Sequence, residues 1–178
     1  MKLRTGAIGR RARTIATAAA ILLTASLAGT LTSTGASADP VGACGMVSKF
    51  TMTFQTGGDD LRYNSEVIVG IKVSYLAQPI PLKSVYGQFS NHTTTVKADI
   101  TFATTGQTVN SCRIRGQHIT LVSHSGAWEG PDNWDMNSFN IVGYTSAGVA
   151  KYQHSSGPGA PRYRFTQSDP TLILNDWA

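Results

Sequence analysis

Val67-Ile68-Val69-Gly70-Ile71-Lys72-Val73-Ser74-Tyr75 is the stretch whose reading decides the fold. Val67, Val69, Ile71, Val73 and Tyr75 alternate with Ile68, Gly70, Lys72 and Ser74. A period of two puts one row of side chains into a core and the other toward solvent, which is a strand. The β-branched residues favour the same backbone. Upstream, Phe50, Met52 and Phe54 alternate with Thr51, Thr53 and Gln55 until Gly57-Gly58-Asp59-Asp60 ends the run. Downstream, Pro79 and Pro81 remove ladder donors and make residues 77–84 a loop. A third strand follows, with Val96, Ala98, Ile100 and Phe102 predicted on its inner face and Thr95, Lys97, Asp99 and Thr101 on its outer face.

Beyond Phe102, Thr104-Thr105-Gly106-Gln107 reads as a turn. Residues 109–115 and 117–123 read as a hairpin pivoting near Gly116. Residues 124–135 contain Gly126, Gly130 and Pro131 and read as a long irregular connection. Strands are predicted again at 137–145, 149–153, 162–166 and 171–174, with a Gly/Pro loop at 155–161. No segment after residue 38 has an apolar stripe at helical spacing, and no internal repeat is visible. Eight or nine short strands without helix predict an all-β chain. The expected architecture is an antiparallel β-sandwich of Greek-key or jelly-roll type, with a closed barrel as the structural alternative.

The chain has 178 residues with 15 Lys and Arg against 10 Asp and Glu, and a pI near 9.4. Five of the cations, Lys2, Arg4, Arg10, Arg11 and Arg13, lie in the first thirteen residues, where there is no acid. After them comes an Ala/Ile/Leu-rich run from Ile15 to Leu31, and then Ala36-Ser37-Ala38 before Asp39. A cationic start, an apolar middle and small residues before a cleavage point form an export signal, expected over residues 1–38. Thr17, Thr24, Ser26, Gly29 and Thr30 interrupt the apolar run, which argues against a spanning anchor. Arg10-Arg11 leaves both the general and the twin-arginine export routes open.

Removing 38 of 178 residues leaves 140, predicted to be one secreted domain over residues 39–178 with no transmembrane segment. That part carries ten cations and ten acids, so the basic pI belongs to the leader and gives no support to nucleic-acid binding. Cys44 and Cys112 are its only cysteines. An oxidising compartment and an even count predict one disulfide between them, worth on the order of 4 kcal/mol by loop-entropy arguments.

Residues 123–135, Ser-His-Ser-Gly-Ala-Trp-Glu-Gly-Pro-Asp-Asn-Trp-Asp, hold the densest set of functional groups. Loops on a rigid sandwich are where binding groups usually sit. Trp128 and Glu129 in this loop, with Tyr63 and Tyr86 elsewhere, offer flat faces and a polar group for a sugar ring or another apolar surface. Trp134, at the start of a strand, is expected in the core. If the two loops meet, Asp59, Asp60, Asp132, Asn133 and Asp135 supply the hard oxygen donors that calcium takes. The competing reading is that these side chains lock turns by bonding the backbone.

Catalytic signals are sparse. Glu129 with Asp132 or Asp135 is the one carboxylate pair suited to glycoside hydrolysis. Ser123-His124-Ser125 places neighbours on opposite faces of an extended chain, and neither a nucleophile elbow nor an HExxH motif is present. His92, His118, His124 and His154 are scattered. Asn91-His92-Thr93 has the form of a glycosylation acceptor.

Two segments together resemble a known type of module. Thr56-Gly57-Gly58-Asp59-Asp60-Leu61-Arg62 and Asp132-Asn133-Trp134-Asp135-Met136-Asn137-Ser138 resemble the paired motifs of a secreted actinobacterial β-sandwich module. More distantly the layout is similar to the PLAT, or lipoxygenase-homology, sandwich. The resemblance implies a non-catalytic, calcium-assisted binding module with Asp59, Asp60, Asp132, Asn133 and Asp135 at the loop ends. Where such modules carry a Gly-rich segment after the arginine, this chain has Tyr63-Asn64-Ser65.

The expected function is recognition of an extracellular ligand through strand-end loops, with carbohydrate or cell-envelope polymer favoured and a lipid surface or a protein behind it. The alternatives are a small secreted hydrolase using Glu129 and Asp135, and a structural or inhibitory protein acting through a sheet edge or loop.

Overall fold

The computed structural model describes residues 39–124 and 130–175, within a compact unit spanning Ser33–Ala178. In chain order the strands are β1 (Asp39–Pro40), β2 (Met46–Val47), β3 (Lys49–Thr56), β4 (Glu66–Val73), β5 (Ile80–Pro81), β6 (Val85–Tyr86) and β7 (Thr94–Thr101). They continue with β8 (Val109–Asn110), β9 (Ile114–Val122), β10 (Trp134–Tyr144), β11 (Ala150–Ser155), β12 (Tyr163–Phe165) and β13 (Thr171–Asn175). Eight of these thirteen have three or more residues, where the sequence pattern predicts eight or nine strands in all.

Two antiparallel sheets pack face to face as a β-sandwich. The larger has the order β1-β11-β10-β3-β7 with β12 also on β10, and the smaller has β13-β9-β4-β5 with β6 also on β4. Successive long strands change sheets: β3, β7 and β10 lie in the larger, β4 and β9 in the smaller. The inner rows meet in one core, with Phe50, Met52 and Phe54 from β3 facing Val67, Val69, Ile71 and Val73 from β4. Trp134 is buried as expected and forms an aromatic cluster with Phe54, Phe89 and Phe165 at centroid distances of 5.0 to 5.7 Å. Its indole N–H donates to Thr56 Oγ1 at 3.2 Å, so its one polar atom is satisfied inside the core.

Three local expectations are corrected. The hairpin near Gly116 does not form: β9 runs straight through it. Residues 111–113 instead make one 3-10 turn, capped by Asn110 Oδ1 accepting from Cys112 N at 3.0 Å. Gly116, at φ +137, sits where the β4–β9 register shifts, so this glycine serves a bulge and not a turn. The 3-10 turn carries Cys112 to Cys44, and the disulfide forms across a Cα–Cα distance of 5.5 Å.

In β7 the predicted face is inverted along half its length. Ala98 and Asp99 together oppose the one residue between Phe50 and Met52, and Asp99 adopts φ +54. This bulge switches the phase. Val96 is 59% exposed, while Lys97 turns inward and places Nζ 5.3 Å from the Phe89 ring centroid. Finally, the proline loop contains a short paired piece, with Ile80 opposite Ile71 and Pro81 opposite Gly70 at the sheet edge, where proline is tolerated.

Candidate functional site

The two motif segments meet at one end of the sandwich. Gly57 N donates to Asp135 O at 2.7 Å, and Asp135 N donates to Asp59 O at 3.0 Å. A Cβ on Gly57 would lie 2.6 Å from Asn137 Oδ1 and 3.0 Å from Asp135 Cβ, so only glycine allows this approach. Leu61 and Phe89 exchange backbone hydrogen bonds of 3.2 and 3.0 Å. That bridge brings the residues after Asp60 alongside those after β6.

All four aspartates have protein partners. Arg164 spans two, with Nη2 2.7 Å from Asp59 Oδ2 and Nη1 2.8 Å from Asp135 Oδ1. Asp132, almost wholly buried, accepts from Arg62 N at 2.9 Å and lies 3.5 Å from Arg62 Nε. Its own backbone N–H donates to Ser123 Oγ at 2.6 Å. Asp60 accepts from Gln88 Nε2 at 3.0 Å. Asn133 is half-buried on the run into β10. Calcium takes six to eight oxygen donors, whereas here guanidinium groups supply the positive charge that holds Asp59, Asp132 and Asp135. Among the described residues no group of three or more His, Cys, Asp or Glu is gathered as a metal site. As arranged, this donor set does not fit calcium.

What the Arg62–Asp132 contacts hold in place is a turn. Ser65 N donates to Arg62 O at 3.1 Å, leaving Tyr63 and Asn64 at its corner. Arg62 is fixed by Asp132 on one side, and its Nη1 donates to Gly130 O at 2.9 Å on the other. Asn64 Nδ2 donates to His124 O. Tyr63 therefore projects from an anchored corner and is 81% exposed.

Tyr86 stands beside it. It pairs with Glu66 across β6 and β4, and Lys97 Nζ donates to its carbonyl at 2.7 Å. Its ring is on the surface, 57% exposed, and its hydroxyl bonds the Glu66 carboxylate. That bond, helped by Ser84 and His124, lowers the Glu66 pKa against the opposing effect of burial, and the same carboxylate raises the Tyr86 phenol. Tyr63, Asn64, Tyr86 and Gly87 line one open depression of about 490 Å³. A smaller hollow of about 260 Å³ lies between Leu121, Ser123, Pro131, Asp132 and Pro170.

Tyr63, predicted from the sequence as a ligand residue, thus lines an open hollow together with Tyr86. Trp128 and Glu129 lie outside the described residues. The residues bounding their segment, His124 and Gly130, both accept hydrogen bonds from the Tyr63 turn. Sequence reasoning missed the two arginines. Arg164 is separated from Asp59 by 105 positions and Arg62 from Asp132 by 70, so no local spacing could pair them. No family model matches the chain, and no curated protein matches it.

Proposed function

We propose that this chain is a secreted, non-catalytic β-sandwich module, of the type its paired motifs resemble, that binds carbohydrate on a platform made by Tyr63 and Tyr86. The observation that carries this reading is the pairing of two exposed tyrosines on one open depression. Large aromatic faces left in water are costly unless something covers them. The C–H face of a sugar ring stacks on a phenol ring, and hydroxyl groups at its rim bond to amide and phenol groups such as those of Asn64 and Tyr86. Anchoring through Asp132 and Glu66 supports the reading further, because a preorganised platform loses less freedom on binding.

The Cys44–Cys112 bridge supports an oxidising, extracellular setting. Among the described residues, no helix is long and apolar enough to cross a membrane. The test is affinity electrophoresis of the purified protein through gels containing neutral glucan, mannan, xylan or soluble chitin derivatives. Retardation by at least one polymer, lost in Tyr63→Ala and in Tyr86→Ala, is the expected result. Retardation that survives both substitutions contradicts the proposal.

A further inference from the structure

A second cleft, of about 510 Å³, opens where β3 begins, and it shares no lining residue with the tyrosine hollow. Ser48, Lys49, Lys83, Thr105, Gln107 and Ser146 contribute to its walls. The motif loops and the Tyr63 turn follow the other end of β3, at Thr56. Backbone bonds set the walls in place. Lys83 N donates to Thr101 O and Ala103 N to Pro81 O, both at 2.9 Å, which holds Lys83 beside the end of β7. Gln107 N donates to Thr104 O at 3.3 Å, closing a turn in which Gly106 takes φ +76. Ser48 N donates to Tyr144 O at 2.9 Å, and Phe102, almost wholly buried against Phe50, closes the bottom.

The charge in this cleft is unbalanced. Among the described residues its lining holds two lysines and no acid. Lys49 Nζ lies 2.8 Å from Asp99 Oδ1, so that charge is matched. Lys83 is exposed and forms no ion pair with a described residue, which leaves one ammonium over. The surroundings act in the same direction. Lys72, Arg113 and Arg115 lie where β4 ends and β9 begins, and β8, paired with β2 just before Ser48, leads into the 3-10 turn that carries Arg113. The chain has no acid from residue 67 to 98 or from 100 to 128, whereas Asp59, Asp60, Glu66, Asp132 and Asp135 belong to the platform end. A cleft whose surroundings carry one sign of charge draws ligands of the other.

We propose that this cleft is a second binding site, for a carboxylated sugar unit, with Lys83 bonding the carboxylate. A lysine ammonium is a compact charge with three donors. One unmatched positive charge suits a single carboxylate better than a doubly charged phosphate. The hydroxyls of Ser48, Thr105 and Ser146 both donate and accept, as the ring hydroxyls of a sugar require. Gln107 Nε2 donates to Thr108 O at 3.0 Å, which keeps its amide oxygen as an acceptor at the wall. The volume falls within the range of small-ligand clefts. This site goes beyond the tyrosine platform and does not rest on it.

The experiment is calorimetric titration of the purified protein with short oligomers of galacturonate, glucuronate and mannuronate, and with their uncharged methyl esters. At least one acid oligomer should bind with Kd below about 1 mM, and its ester at least tenfold more weakly. Raising the salt to about 0.5 M should weaken the acid and leave the ester alone. Lys83→Gln should lose at least tenfold in affinity for the acid at an unchanged melting temperature, and Lys83→Arg should keep it. Tyr63→Ala and Tyr86→Ala should leave this binding intact, so the platform and the cleft fail separately. A parent that binds none of the acid oligomers, or binds the esters equally well, overturns the proposal. So does a Lys83→Gln protein that binds like the parent, or loss of uronate binding in the two tyrosine variants. Inorganic phosphate that displaces the oligomer at equal concentration overturns the choice of a carboxylated sugar.

Discussion

At one end of the sandwich two groups of side chains lie side by side and behave in opposite ways. Asp59, Asp132 and Asp135 look inward to Arg164 and Arg62, whereas Tyr63 and Tyr86 look outward to water. The first set spends its charge within the protein, so it holds loops together and has little left for a ligand. The second contributes little to the fold and keeps its faces free. Residues that are rich in chemistry on paper are therefore the frame here, and the plainer residues are the exposed surface on which the proposed binding rests.

The sharpest way to break this contrast is Asp132→Ala. It removes a buried acceptor of the Arg62 backbone N–H together with an ion pair, and should cost about 2 kcal/mol in a denaturant titration. It should also weaken carbohydrate binding, because the Tyr63 corner loses its anchor. Tyr63→Ala and Tyr86→Ala should do the reverse. Each is expected to raise Kd at least tenfold, about 1.4 kcal/mol, while stability by the same titration stays within about 0.5 kcal/mol. Arg164→Ala should be milder than Asp132→Ala, near 1 kcal/mol, because its guanidinium is half exposed and screened.

Acidity separates the groups again. Burial pushes His154 below its ordinary value of 6.5, and His118 shifts the same way through burial and the nearby Lys72. The unfolded chain therefore takes up protons first, so stability should fall as pH drops below 6.5, and His154→Gln should flatten that slope. Glu66 acts at lower pH. Its folded pKa lies below 4.5, so its contribution is present above 4.5 and lost as pH falls through the folded value. Tyr86→Phe removes the bond that lowers it and should reduce the acid sensitivity. The smallest effect expected is that of calcium: millimolar calcium after chelator should leave the melting temperature unchanged, since arginines already neutralise the acids.

Much of the fold was legible because burial on one face of a strand writes a period of two into the chain. The stretches around Phe50–Gln55 and Val67–Val73 obey it and both are strands as predicted, but the second ends at Val73, and Tyr75, predicted to continue its inner row, is 60% exposed. The pattern failed where geometry departs from ideal pleating. A bulge at Asp99 flips the phase of β7, and a bulge at Gly116 looks like a turn to any reading based on glycine. The disulfide was legible from the even cysteine number and the export signal expected at residues 1–38. At the site, the sequence left open whether the two motif loops meet, and it offered loop-locking beside calcium as the role of their acids without showing what would hold them. That role depends on Arg164 and Arg62, which only the folded chain brings near. Tyr63 was legible as an aromatic in a loop; its partnership with Tyr86 depended on the Leu61–Phe89 bridge, which leaves no mark in the sequence.

The most direct test of the division between frame and platform is a backbone amide chemical-shift map of the isotope-labelled protein. The titrant is an oligosaccharide cut from whichever polymer retards it in gels. The account predicts shifts concentrated at Tyr63, Asn64, Tyr86 and Gly87, with Asp59, Asp135 and Arg164 unmoved. Shifts centred on Asp59, Asp135 and Arg164, with the two tyrosines silent, would contradict it.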